Sequence, residues 1–359
     1  MNMNFSAETA LGFKDLMFDY LTNVEKRTGF SYDKTTTFQE KEALMNKAIL
    51  GDISKLAGTP LENSNVNPVM MANHPSIRFA SFAVIGDLID TIVPVVLEQN
   101  IGVYTETRFG AFGDDFRFDI ESNDLFTVSV AGRAQHSVEF QQAYSGTQYL
   151  HPVNHMVSVQ TNLYRALCGL DSIAKFTMKA ILSIEAAVQK DAYDAMDAAM
   201  NALPSTANAN FKITAAGGVV SKQDALELVD RVQAFNGGSP AIFAGTRVAL
   251  SHLFPSSDSG FRYDNASIDY FRNVWGVDTM ELRQIANYKS KYNLSLTNDR
   301  IYVISPSSDK LIKLCYEGGT ITNPTSGLST GNKSETVSLE KSWAVGVATG
   351  SVAGCISLA

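Results

Sequence analysis

The sequence predicts an α+β fold, and three stretches predict it. Asp171 to Leu203 contains no glycine or proline and repeats its apolar residues at helical spacing. The residues from about 103 to 163 alternate apolar and polar side chains as strands do, and the last run, KSWAVGVATGSVAGCISL, is apolar and glycine-bearing, as a sheet interior requires. A long helix with strands from distant parts of the chain points to a shared core.

Taken in order, Ser6 to about Arg27 reads as a first amphipathic helix through Leu11, Phe13, Leu16, Met17, Tyr20 and Leu21, with Gly29 beyond its end. Thr37 followed by Glu40 has the form of a capping box, so a second helix starts there, carries Ala43, Leu44, Ala48 and Ile49, and is expected to stop at Gly51. GTPLENSNVNP is a loop by composition. Residues 1 to about 68 thus read as an arm of two helices rather than a compact domain. The most apolar window, Phe79 to Leu97, is interrupted by Asp87, Asp90 and Pro94 and is read as too polar to span a bilayer.

From about Gly102 the spacing changes. DDFRFDI puts Phe116, Phe118 and Ile120 on one face and Arg117 and Asp119 on the other; LFTVSV, SVEFQQAY and MVSVQTNLY continue the alternation around a small polar tip, AGRAQH. Long antiparallel strands projecting over 103–163 are expected, and such a hairpin needs neighbours to rest on. In the long helix the predicted buried stripe is Ile173, Phe176, Ala180, Ile184, Val188, Ala192, Ala195 and Ala199, tapering to alanines, with Asp171 as cap and Pro204 as terminator. Its length would be roughly 50 Å. After it, FKITAAGGVVS suggests a strand and turn. A helix follows from Ser221 to Phe235, stopped by Asn236, Gly237 and Gly238. AIFAGTRVALSHLF reads as strand and short helix, NASIDYFRNVWG as a short helix, and DRIYVIS, KLIKLCYEG and the final run as strands.

Composition bounds the chemistry. With 359 residues and 45% apolar content the chain can build a large core; 37 acidic residues against 29 Lys plus Arg give a net charge of -8, which disfavours tight non-specific DNA binding. Cys168, Cys315 and Cys355 form no CxxC pair, so reduced buried thiols are expected rather than a disulfide framework or zinc site. The N-terminal MNMNFSAETA lacks the charge and apolar run of a signal peptide. Residence in a cytoplasm is therefore expected. His151 and His155 have ligand spacing, but Pro152 and strand-like flanks argue against a metal pair. His74 and His136 read as polar surface groups, and Asp114 with Asp115 as a solvated turn. No GxxxxGKS, GxGxxG or GxSxG element is present, so no cofactor is expected and nucleophilic catalysis has no support. Asp191, Asp194 and Asp197 form an acidic edge along the long helix.

MVSVQTNLYRALCG, the helix containing SIEAAVQKDAYDAM, and the closing DRIYVISPSSDKLIKLCYEGG with SWAVGVATGSVAGCISL resemble major capsid proteins of tailed bacteriophages, which share the Hong Kong 97-type capsid fold. The resemblance implies an N-terminal arm over 1–70, a peripheral-domain segment over 71–102 and an extended loop over 103–163. It implies further the spine helix and peripheral domain over 164–220, an axial domain over 221–305, and closing strands of the peripheral domain over 306–359. It implies a non-enzymatic shell protein of the virion, made in the bacterial host cytoplasm and assembling with itself as hexamers and pentamers around packaged double-stranded DNA that it touches loosely. A portal and a separate scaffolding protein are the implied partners, since about 70 residues are too few for an arm plus a cleaved scaffolding segment. No lysine lies between Lys55 and Lys175, so the lysine crosslinking of some members is not expected. The basic residues of the loop, Arg108, Arg117 and Arg133, are candidates to pair with a neighbour's carboxylates, with Asp191, Asp194 and Asp197 as the candidate partners. An encapsulin-type compartment uses the same fold, and an enzyme built on His151 and His155 is the remaining alternative.

Overall fold

The computed structural model describes residues 7–22, 37–61, 74–121, 145–161, 163–167, 171–206, 209–215, 220–253, 273–286, 293–306, 309–325 and 335–358. Helix α1 (Ala7–Thr22) and helix α2 (Phe38–Ala57) come first. The capping box is present: Glu40 N–H donates to Thr37 Oγ1 and Thr37 N–H to the Glu40 carboxylate. α2 does not stop at Gly51; it continues to Gly58, whose φ of 64° makes the left-handed cap that a Cβ would resist. Neither helix stands free as an arm. Phe13, Leu16 and Met17 of α1 and Met45, Ile49 and Ile53 of α2 are buried in the main core, because each helix has an apolar stripe that must be covered.

Helix α3 (Pro75–Ile101) follows. Pro94 and two aspartates do not interrupt it, and its Pro75–Glu98 part, which contains an 18-residue window of mean hydropathy 1.9, is long and apolar enough by length and composition to cross a membrane. That corrects the expectation for this window. Most of its apolar side chains, from Ile77 through Ile92 and Val93 to Ile101, are packed inside the core, as in an interior helix of a folded domain, while Phe79 is exposed.

Strand β1 (Thr105–Gly110), β2 (Phe116–Glu121), β3 (Ser145–Leu150) and β4 (Val153–Thr161) then lead through α4 (Leu163–Leu167) to the long helix α5 (Ile173–Asn201). α5 is about 44 Å long at 1.5 Å per residue. Its cap is Ser172, whose hydroxyl accepts from Lys175 N–H, and not Asp171. Asp171 instead pairs with Arg165 at 2.8 Å, and that guanidinium holds its carboxyl below the ordinary value. The buried stripe includes the predicted Ile173, Ala180, Ile184, Val188 and Ala192, whereas Phe176 is only partly buried, with Thr177 and Met178 buried beside it; after Ala192 it turns to Tyr193, Met196 and Met200 in place of Ala195 and Ala199. After Ala192 a step of four is as helical as a step of three, and the sheet beneath takes the larger side chains.

The remaining elements are β5 (Ser205–Thr206), β6 (Ala209–Asn210), β7 (Lys212–Thr214), α6 (Lys222–Phe235), β8 (Ile242–Gly245), α7 (Arg247–Ser251), β9 (Asn273–Val274), β10 (Val277–Glu281), β11 (Arg300–Ile304), β12 (Ile312–Thr325), β13 (Glu335–Val347) and β14 (Gly354–Ser357). In NASIDYFRNVWG, the predicted helix lies outside the described residues up to position 272. Its end is a strand and turn, with Trp275 and Gly276 at φ of 54° and 88° linking β9 to β10.

Two sheets organise the fold. The four-stranded sheet runs β1-β12-β13-β4, with β1 parallel to β12 and the other pairs antiparallel. Ile312, Leu314, Tyr316, Leu339 and Trp343 face α3 and α5 in the main core. The six-stranded sheet runs β7-β14-β11-β8-β10-β9. Its Phe243, Ile301, Val303 and Ile356 pack under α6 in a second core, while Ala244, Tyr302, Ile304 and Cys355 face the first. The final strand β14 therefore lies between β7 and β11 in the sheet built from residues 212–304, not with the closing strands at 306–347. Alternation alone does not say which sheet an apolar strand joins.

Candidate inter-subunit surface

The projecting element is narrower than the 103–163 expected from alternation. β1 and β4 are edge strands of the four-stranded sheet; among the described residues of this region only β2 and β3 pair as a separate two-stranded hairpin, in register from Phe116 opposite Leu150 to Glu121 opposite Ser145. Residues 122–144, with the predicted tip, lie outside the described residues. The hairpin is seated by its alternation: Phe116, Phe118 and Leu150 are buried and close a small core over Cys315 and Ala344, on the face of the sheet opposite the long helix. The end of β2 farthest from the root is tight against Gly350, where a Cβ would sit 1.8 Å from the Glu121 carbonyl oxygen.

Arg108 and Arg117 both find partners on their own strands. Arg108 pairs with Glu106 at 2.9 Å, donates to the Arg117 carbonyl and lies 4.3 Å over the Phe118 ring. Arg117 pairs with Asp119 at 2.7 Å; this bond raises the guanidinium's pKa and lowers the Asp119 carboxyl. Both arginines are exposed and the short-range pairs leave their outer faces open, with Tyr149 also exposed on the hairpin and Phe109, Phe112, Val153 and Met156 around its root. Arg133 lies outside the described residues.

The acidic edge is used inside the chain. Asp191 accepts the Trp343 indole N–H at 3.0 Å and lies 3.7 Å from His155 Nε2. Asp197 pairs with Arg300 and accepts the Tyr302 hydroxyl at 3.2 Å, tying the long helix to the six-stranded sheet. Asp194 pairs with Lys190 one turn away and is the most exposed of the three. The two outer carboxylates of the edge therefore bind the two sheets, and the structure does not bring any of the three to Arg108 or Arg117.

Other polar groups had no sequence signal beyond their residue type. Lys313 is buried under the hairpin between Glu106 at 2.7 Å and Asp309 at 2.6 Å. Burial alone would raise the Glu106 carboxyl, but its bonds to Lys313 and Arg108 leave it below the ordinary value. Lys341 is buried against Asp90 of α3. Alternation in KLIKLCYEG marks one face as apolar and leaves Lys313 to solvent; the hairpin lying on that face is what buries it. His151 and His155 do not converge: His155 stacks on Trp343, with ring centroids 3.7 Å apart, and no cluster able to hold a metal ion occurs among the described residues. His74 is the helix-capping position before Pro75, and Asp114 accepts the Ala111 N–H in a turn. Cys315 and Cys355 are free and buried, and burial pushes both thiols up to about 11; Cys168 and His136 lie outside the described residues.

No family model matches the sequence, and no curated protein matches it. Among solved structures, the capsid of a native GTA particle is similar at 9% identity and TM-score 0.53, over 72% of this chain and 89% of that one. The mature capsid of bacteriophage PhiM1 is similar at 12% identity and TM-score 0.49, over 71% and 85%. Microbacterium phage Oxtober96 gives 12% identity and TM-score 0.46, over 71% and 89%. The fold assignment rests on the first of these together with the long helix, the hairpin and the two sheets. This chain has the Hong Kong 97-type capsid fold.

Proposed function

We propose that this chain is the major capsid protein of a tailed bacteriophage, a structural subunit that assembles with itself as hexamers and pentamers into the icosahedral head shell around packaged double-stranded DNA. The observation that carries the reading is the likeness to the GTA particle capsid over 89% of that chain. The hairpin fits it: a two-stranded ribbon is marginal alone, and its exposed face carries paired charges and Tyr149 that a second copy can cover. A net charge of -8 suits a wall that does not grip its genome. Many modest contacts, repeated by symmetry, would hold such a shell closed.

In this reading the hairpin of residues 116–150, rather than the helices of residues 1–70, is the element that reaches a neighbour. Residues 221–305, with β14, form the axial part. A separate scaffolding protein and a portal complete the head, and the virion is assembled in the bacterial host cytoplasm.

Electron microscopy of the expressed full chain, alone and with its scaffolding partner, is expected to show closed particles tens of nanometres wide. A chain that stays monomeric at high concentration under both conditions overturns the reading. Particles that enclose an enzyme instead of DNA would place the shell with encapsulin-type compartments. Arg117→Glu and Arg133→Glu are expected to impair assembly; unchanged particles would remove these arginines from the subunit contact.

A further inference from the structure

We propose that the outer face of α2 is a two-fold contact at which a second copy of this chain lays its own α2 antiparallel, Leu44 of each helix entering the gap left by Gly51 of the other. α2 carries two stripes. Met45, Ile49 and Ile53 are buried in the main core. A second stripe, Glu40, Leu44, Lys47, Gly51 and Lys55, advances by steps of four, three, four and four, which keeps it on one face of the helix. Glu40, Leu44, Lys47 and Lys55 are exposed, Leu44 to 63%.

An exposed leucine alone is ordinary. Gly51 beside it is not, because it lies in the helix interior and α2 runs on to Ala57. Glycine there costs the helix about fivefold in its equilibrium constant relative to alanine. A Cβ at this position would meet no atom from the rest of the chain within 4 Å, so nothing inside the subunit calls for the glycine. A close approach from outside does.

The occupant follows from charge. Glu40 stands in the first turn of α2 and Lys55 in the last, about 22 Å apart. Antiparallel pairing of α2 with itself, about a point between Lys47 and Ala48, sets Glu40 against Lys55 of the second copy and Leu44 against its Gly51, each twice. A parallel pair would set Glu40 on Glu40 and Lys55 on Lys55. Both charges have capacity to spare: Glu40 accepts the Thr37 N–H through one oxygen, and Lys55 reaches Asp52 at 3.3 Å with its side chain 77% exposed. The two Lys47 side chains meet near the axis and oppose the contact; their stems can lie over Ala48 while the ammonium groups turn to water.

Two helices of this length meeting on small residues cover less than the roughly 1,200 Å² of a stable pair. The contact therefore holds only where symmetry repeats it. It rests on the shell reading: contacts within a ring of subunits are heterologous, and joining one ring to the next across a two-fold axis takes a patch that matches itself. α2 does not reach out to its neighbour; it is met where it lies on the body of the subunit.

The test uses particles of the full chain in a Cys168→Ser background, where Cys315 and Cys355 are buried. In Leu44→Cys/Gly51→Cys the antiparallel register brings each thiol beside its counterpart. Oxidation with copper phenanthroline is expected to convert most subunits to disulfide-linked dimers on a denaturing gel. Leu44→Cys alone and Gly51→Cys alone are expected to stay monomeric, since each residue lies about 10 Å along the axis from its own copy. A second measurement needs no cysteine: Gly51→Leu is expected to raise the urea midpoint of the isolated subunit and to lower that of particle dissociation, whereas Lys47→Ala is expected to raise the latter. Particles without linked dimers, dimers from either single variant, or Gly51→Leu particles that dissociate no earlier than wild type overturn the contact and leave the shell reading standing. If no particles form, the shell reading falls and the concentrated chain decides the contact: linked dimers from the double variant alone support it, and none overturns it.

Discussion

Replacing Asp90 by Ala strands a buried ammonium. Asp90 on α3 pairs with Lys341 of β13 and also accepts the Thr320 N–H at 2.7 Å and the Thr320 hydroxyl at 2.6 Å. The lysine side chain is 5% exposed and the aspartate 12%, so water screens little. Lys341 has one further favourable contact, its ammonium 5.4 Å from the Tyr316 ring centroid. Removing one partner of a buried pair costs about 3–5 kcal/mol, and the Thr320 donors lose their acceptor at the same time. These losses overlap, and a total of about 4 kcal/mol is expected. With a urea m-value of about 3 kcal/mol/M, the unfolding midpoint falls by about 1.3 M. Circular dichroism of the unassembled chain in urea measures it. Asp90→Asn keeps an acceptor for Thr320 but no charge, and is expected to lose about half as much. The double variant Asp90→Leu/Lys341→Met removes both charges and is expected to return within about 1 kcal/mol of wild type. A shift below about 0.3 M for Asp90→Ala, or a double variant no better than the single one, would refute the reasoning.

Gly350→Ala drives a Cβ into the Glu121 carbonyl, so the far end of β2 must shift; a loss of about 1–3 kcal/mol and faster proteolysis between β2 and β3 are expected, by urea unfolding and timed digestion. Ser172 caps α5 and accepts from Asn46 Nδ2 of α2 at 2.9 Å, while Asn46 Oδ1 accepts the Ala174 N–H. Ser172→Ala and Asn46→Ala are therefore each expected to cost about 1 kcal/mol, and the double variant less than their sum. Cys315 and Cys355 hold their protons in the folded chain up to about pH 11, whereas exposed thiols lose them near their ordinary value. The stability this confers is complete below about pH 8.5 and is lost as pH rises through about 11. In a Cys168→Ser variant at pH 7.5, a thiol reagent is expected to label neither cysteine until urea is added; immediate labelling would refute their burial.

The sequence by itself determined the elements whose signal is local. A capping box at Thr37, the uninterrupted helical spacing after Ser172, the cap at Ser221 and the alternation of Phe116 with Phe118 each reflect the hydrogen bonds and side-chain directions of a few neighbouring residues. The α+β class followed from their order along the chain. Only the tertiary structure decided which strands pair, since an apolar alternating run fits either of two sheets. It sent β4 and β1 to the edges of one sheet and β14 into the middle of the other, leaving a hairpin much shorter than the alternating region.

The same holds for charge. Asp191, Asp194 and Asp197 are legible as an acidic edge because their spacing is helical, but their partners Trp343 and Arg300 come from strands far away in sequence. Lys313 and Lys341 look like solvent residues until a hairpin and a helix cover them. Burial and pairing are properties of surfaces brought together by long-range contacts. A local pattern fixes which face a side chain takes and leaves open what lies against that face.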